Sequence, residues 1–353
     1  MTARPGVVLH FGMPKTGTSV LQNMMHRLTA DGPVEGVHYP AYGRGGKVAH
    51  HALAEALKSA TADNTARIAA DLAADLAATP GPAPRLAFYS SEAFANLCGE
   101  SPAPAFGDFL QAVGTTHSMN AVMVIREMTS FLESMYLQSA RFGNMELDFP
   151  AYLMSRQSWW VSLLSGLSIL SVRFGSAFEI RLAEPGYDVL AHFAQRLSLP
   201  FDQVKAVAAG VPSTTKLSWK AQIVLAYLDR FEARLGYPIP RAAVLRALGN
   251  GLTFDDDLNR YTILRPKVRL ANRRRFARLA RDGGLTGYAT LFGDADLPDL
   301  PFVPIRPGVL TETDLGRLSV VRDLEKPVRR RLRLLTSDAG PARRRAPEGG
   351  MSG

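Results

Sequence analysis

The segment Val7–Leu28, VVLHFGMPKTGTSVLQNMMHRL, decides how the rest of the chain is read. Its first part is an apolar run bounded by Gly6 and Gly12, which suits a short buried strand. Beyond the turn Gly12-Met13-Pro14-Lys15-Thr16-Gly17 the period changes, and Val20, Leu21, Met24, Met25 and Leu28 recur at helical spacing. Strand, tight loop and helix therefore follow one another. A loop in that position aims backbone N–H groups and the positive end of the helix dipole at one point above it, which makes it an anion site.

The loop departs from the nucleotide-triphosphatase pattern G-x-x-x-x-G-K-[ST], in which lysine follows the second glycine and the next hydroxyl holds magnesium. Here Thr18 follows Gly17, and the lysine has moved forward to Lys15. The run Pro14-Lys15-Thr16-Gly17-Thr18-Ser19, followed by Leu21-Gln22, resembles the loop of sulfotransferases that use 3′-phosphoadenosine-5′-phosphosulfate (PAPS), in their bacterial and carbohydrate-directed branch. The resemblance implies a three-layer α/β/α fold, P-loop-like, with a central and mainly parallel sheet. It also implies that Lys15, Thr16, Gly17, Thr18 and Ser19 hold the 5′-phosphosulfate.

A second strand-to-helix transition supports the same expectation. The apolar run Asn120–Ile125 delivers Arg126 at its carboxyl end, and a helix begins shortly afterwards and carries Ser134. A guanidinium offers a planar fork to a phosphate, and a hydroxyl can complete the cradle. In the resembled family an arginine ending a strand and a serine eight residues later bind the 3′-phosphate. Arg126 and Ser134 match in type and spacing, although a surface arginine would look the same in isolation.

Two candidates for a general base come from other segments. The strand-like run Arg85–Tyr89 ends in Ser90-Ser91-Glu92, so Glu92 reaches the sheet edge where α/β proteins bind ligands. Alternatively, Glu92 is a charge at a helix start capped by Ser90 or Ser91. His51 opens a helical stretch, 48–57, after the flexible loop Gly43–Lys47, and its pKa range suits proton transfer. It could equally be half of a polar pair at a helix start. Trp159-Trp160 is read as core or as the lining of an acceptor pocket.

Composition bounds the remainder. A chain of 353 residues with 46% hydrophobic content can bury a large core. The single cysteine, Cys98, excludes an internal disulfide, and no run of 18 apolar residues suggests a membrane span. The first residues run straight into the first strand with no signal-like segment, so a cytoplasmic protein is expected. Of 41 Lys and Arg and 32 Asp and Glu, 22 of each lie before residue 265, leaving 19 basic and 10 acidic residues for positions 265–353. The clusters Arg273–Arg275, Arg329–Arg331 and Arg343–Arg345 lack interleaved aromatics, so a solvated helix face and a charged tail are expected rather than a nucleic-acid surface. Asp255–Asp257 has neither histidines nor ligand spacing, so no metal is expected.

The expected organisation is a nucleotide-binding domain over residues 1–240, including a helix from Lys216 to Leu235. A helical, basic region over 241–335 and a disordered tail over 336–353 follow it. The expected activity is transfer of a sulfuryl group from PAPS, without a metal, to a hydroxyl of a small molecule or glycan. Two alternatives stay open: a small-molecule kinase using ATP, which would need a magnesium-binding aspartate at a strand end, and a non-catalytic binder of an anionic polymer.

Overall fold

In the computed structural model the apolar run at the start of the chain is the middle strand of the sheet. The described residues are 5–321 except 14, 80–84, 99–102, 143–148, 184–185, 212–216, 229–230, 233–237, 256, 259–260, 283–299, 304, 306–308 and 319–320. Five strands, β1 (Gly6–Gly12), β2 (Val37–His38), β3 (Leu86–Ser91), β4 (Ser118–Ile125) and β5 (Phe178–Leu182), form one sheet in the order β2-β3-β1-β4-β5. All four pairings are parallel. Every residue of β1 and β3 is buried, as a parallel strand covered on both faces requires.

Helices α1 (Thr18–Leu28), α2 (His51–Lys58), α3 (Ala62–Ala77) and α4 (Ala103–Gly114) connect the first four strands. They are followed by α5 (Met128–Arg141), α6 (Phe149–Ser155) and α7 (Gln157–Phe174) before β5, then by α8 (Val189–Leu197) and α9 (Phe201–Ala209). Alternation along β1 assigns its two faces. Val8 packs with Leu21, Met24 and Met25 of α1 and with Phe193 and Leu197 of α8. Phe11, on the opposite face, meets the rings of Phe94 and Phe106 at 5.7 and 6.1 Å. The sheet is thus sandwiched between helical layers, an α/β architecture.

The chain divides into two compact units. The sheet-bearing unit comprises Met1–Gln138, Glu146–Thr215 and Thr262–Phe302. Its last segment contributes α12 (Pro266–Asp282), reached after α10 (Trp219–Ala226) and α11 (Arg241–Gly249) of the other unit. That second unit, Ser139–Met145, Lys216–Tyr261 and Val303–Gly353, has its own apolar core of Ile223, Val224, Phe231, Val244, Phe254 and Leu318.

The long helix expected from Lys216 to Leu235 starts later and is interrupted at Tyr227, with Leu228, Phe231 and Glu232 helical again beyond it. Ser218 is extended, the Trp219 N–H bonds the Leu258 carbonyl, and the Lys220 N–H bonds Asp257 Oδ1, so α10 starts at Trp219 and is capped at Tyr227. Asp257 is therefore occupied as a backbone acceptor, and Asp255 pairs with Arg317. Among the described residues no cluster of three potential metal ligands occurs, and no helix is long and apolar enough to cross a membrane. Arg329–Arg331, Arg343–Arg345 and the expected tail lie outside the described residues, as do the side chains of Trp159 and Trp160.

Candidate functional site

Strand register sets the level at which the candidate groups emerge. Phe11 of β1 is paired with Ser91 of β3, and Gly12 with Val124 of β4. Glu92 is therefore level with Gly12, and Arg126 lies two residues further along its strand. The loop after β1, the carboxylate after β3 and the guanidinium after β4 thus share the carboxyl edge of three adjacent strands. Ligands of open parallel sheets bind at that edge, where strand order reverses.

The loop is shaped by two left-handed residues. Gly17 has φ +85°, and Lys15, an exposed lysine, has φ +69°. A non-glycine residue held there costs on the order of 1 kcal/mol or more, a strain that tends to collect at functional loops. The loop is packed closely: a Cβ on Gly12 would lie 2.4 Å from Thr18 Cγ2, and one on Gly17 would lie 2.8 Å from Val189 Cγ1. The Thr16 and Thr18 hydroxyls both donate to the Met13 carbonyl, at 2.7 and 3.2 Å. They brace the loop from inside. Helix α1 has no side-chain cap, and the first helical bonds run from Val20 and Leu21 to the Gly17 carbonyl, so the amides of Thr18 and Ser19 stand ahead of them.

The start of α5 is built differently. Glu127 caps it, its carboxylate accepting from the Thr129 and Ser130 N–H groups at 3.0 and 2.9 Å and from both hydroxyls. The Thr129 and Ser130 amides of α5 are thereby satisfied within the chain, so an anion bound here would rely chiefly on side chains. Arg126 is one. Burial lowers its pKa from the ordinary guanidinium value and nearby Arg269 adds to this, while Glu133 and Glu127 oppose it. Among the described residues no carboxylate lies within ion-pair distance of Arg126; Glu133 accepts from the Thr262 hydroxyl and the Ile263 N–H.

Arg269 of α12 reaches the same place. It is 9% exposed, its Nη2 donates to Ser130 Oγ at 3.0 Å, and its buried Nε has no hydrogen-bond partner. Ser134 lies one turn beyond Ser130 on that face of α5. Sequence reasoning treated the basic run of α12 as a solvated face. Arg274, Arg275 and Arg278 are indeed exposed, but Arg269 and Arg273 share the buried stripe with Phe276 and Ala277. Reading α12 at helical period, rather than by total charge, would have separated the two sets.

The base candidates are brought together. His51 Nε2 lies 3.6 Å from Glu92 Oε2, and His51 Nδ1 lies 2.7 Å from Ser91 Oγ. Ser91 Oγ also accepts from the Ala93 N–H, so the cap expected at this turn exists, and the same hydroxyl ties His51 Nδ1 to the strand end. Gln22, named in the sequence only as part of the Leu21-Gln22 resemblance and given no role there, reaches the same turn, its Nε2 donating to Glu92 Oε2 and Ser90 Oγ, both at 3.2 Å.

Neighbouring His50 is structural. The Ser90 N–H donates to its Nδ1 at 3.1 Å, its Nε2 lies 3.0 Å from the Pro40 carbonyl, and burial lowers its pKa to about 3 against those carbonyl contacts. At the far side of the sheet, a cavity of about 470 Å³ runs along β5 and the first turns of α8, lined by Leu182, Tyr187, Asp188 and His192 among others.

No known family model matches the chain, and no curated protein does. Among solved structures the chain is similar to a sulfotransferase from Alicyclobacillus acidocaldarius, with 14% identity and a TM-score of 0.36 over 69% of this chain and 100% of that one. It is also similar to the sulfotransferase domain from the curacin biosynthetic pathway, with 15% identity and a TM-score of 0.31 over 68% of this chain and 100% of that domain. At these scores the assignment of fold rests on the strand order itself.

Proposed function

We propose that the chain transfers a sulfuryl group from PAPS to a hydroxyl of a small molecule or glycan. One observation carries this reading: an uncapped loop-and-helix anion site and a half-buried arginine with no carboxylate in ion-pair contact among the described residues emerge at the carboxyl edge of adjacent strands, with Glu92 level with the loop. Two separated anion sites suit a donor phosphorylated at two positions. PAPS supplies an activated sulfuryl group whose departure leaves a phosphate.

The residues would act as follows. Lys15 and the amides of Gly17, Thr18 and Ser19 would hold the 5′-phosphosulfate and stabilise charge growing on the leaving phosphate oxygen. Thr16 and Thr18 would support them through the Met13 carbonyl. Arg126, Ser134 and Arg269 would hold the 3′-phosphate. Glu92 would take the acceptor's proton as the acceptor oxygen bonds to sulfur and the bond from sulfur to the phosphate oxygen breaks. Of the two base candidates Glu92 suits this better. Its Oε2 is engaged by Gln22, whereas its Oε1 accepts no hydrogen bond from a described residue. His51, whose Nε2 lies 3.6 Å from Glu92 Oε2, would orient the carboxylate.

Thermal melting with adenosine 3′,5′-bisphosphate, 5′-AMP, or ATP plus magnesium tests the proposal. The bisphosphate should raise the melting temperature most, and Arg126→Ala should weaken its binding by about tenfold to a hundredfold while leaving 5′-AMP nearly unaffected. A shift only with ATP and magnesium would replace this reading with a kinase, and no shift with any of the three would remove it.

A further inference from the structure

Gln22 lies on α1, one turn below the anion loop, and is 4% exposed. Its carboxamide nitrogen faces three acceptors on the neighbouring strand end: the Ser90 carbonyl at 3.5 Å, Ser90 Oγ at 3.2 Å and Glu92 Oε2 at 3.2 Å. A carbonyl and an ionised carboxylate can only accept, which fixes the orientation of the amide. Ser90 is fully buried, and its hydroxyl also meets His10 Nδ1 at 2.8 Å, so the seat of the amide is set by β1 and β3 together.

We propose that Gln22 is the positioning residue of Glu92, fixing the carboxylate to the same helix whose first turn forms the anion loop. This rests on Glu92 serving as the base in the reading above. An in-line displacement needs the proton acceptor and the leaving-group site at a constant separation. Glu92 follows a strand and opens a short 3-10 turn, Glu92–Cys98, and its side chain is partly exposed. Two groups hold its Oε2: Gln22 from α1 and His51 from α2. Of the two, Gln22 is the buried one, and it belongs to the helix that carries Thr18 and Ser19. With Oε2 held, Oε1 is left to receive the proton. Glu92 also acts on Tyr39, after β2, whose pKa is raised chiefly by burial, with Arg44 opposing and the carboxylate adding to the rise.

The test follows Glu92 itself and needs no acceptor. The protein labelled with carboxyl-¹³C glutamate is titrated by NMR, the Glu92 signal being identified by its loss in Glu92→Gln. Gln22→Met removes a donor to the ionised carboxylate and should raise the Glu92 midpoint by about one pH unit. Ser90→Ala, which loosens the seat of the amide, should raise it less. A purely structural Gln22 would lower the melting temperature and leave the midpoint in place, and that result in folded Gln22→Met protein would overturn the proposal. If Gln22→Met does not fold, an unchanged midpoint in Ser90→Ala would overturn it instead. Bisphosphate binding by the parent protein is scored separately, so failure of the sulfuryl-transfer reading is distinguishable from failure of this one.

Discussion

His10 is an ionisable residue at the centre of the sheet, fully buried between Phe88 and Phe193. Its Nε2 has no hydrogen-bond partner, and burial, with His192 adding, lowers its pKa to about 3. His50, under the site, is lowered similarly. Both are neutral when folded, whereas the unfolded chain protonates them near the ordinary histidine value. Their contribution is therefore complete above about pH 6.5 and is lost as pH falls toward 3. By pH 5 each should cost about 2 kcal/mol. Urea unfolding at pH 7.5 and pH 5 should record this loss, and His10→Leu should show a shallower pH dependence than the parent. Neither effect was legible from the sequence. A histidine within an apolar strand and another beside a glycine loop announce their burial only when Ser90, 80 and 40 residues away, is brought against them.

The elements that a local period defines were legible. The change from strand to helix across Gly12–Gly17 was readable because the apolar positions switch spacing within one loop, and β4 followed by Arg126 was readable for the same reason. What required the third dimension was any contact between distant elements, such as Gln22 with Glu92 or the buried stripe of α12 beside Ser130. The α5 terminus shows how such contacts alter an element's role. Two of its first amides, those of Thr129 and Ser130, are occupied by Glu127, so the helix offers the candidate anion site side chains more than its dipole end. Glu127→Ala should destabilise the protein by about 1–2 kcal/mol, as loss of a helix cap does. It should also leave bisphosphate binding unchanged or slightly stronger, because a carboxylate near Arg126 disappears. Denaturant melts and calorimetric binding of the same preparation measure the two effects.

At the scale of the whole molecule, the second unit has a lock of its own. Lys220 Nζ lies 2.8 Å from Asp314 Oδ2; both side chains are buried, and the same carboxylate oxygen accepts from the Thr311 N–H and hydroxyl. Removing one partner of such a pair strands the other charge. Asp314→Ala should therefore destabilise this unit by about 3–5 kcal/mol, measured by hydrogen exchange at α10 amides, while the bisphosphate-induced melting shift of the sheet-bearing unit persists. Replacement of both by apolar residues, Lys220→Met with Asp314→Leu, should recover much of the loss.

The placement of β1 in the middle of the sheet also governs how the molecule is made. Its run Val7–Phe11 leaves the ribosome well ahead of its two partners, Leu86–Ser91 and Ser118–Met123. More than a hundred residues must be synthesised before both edges of this strand can be covered. Until then it is an apolar segment with unpaired backbone, the kind of surface that aggregates or recruits chaperones. Closing such distant pairings is also entropically slow, so translation rate over the codons from β1 to β4, and not thermodynamic stability alone, should govern the yield of folded protein.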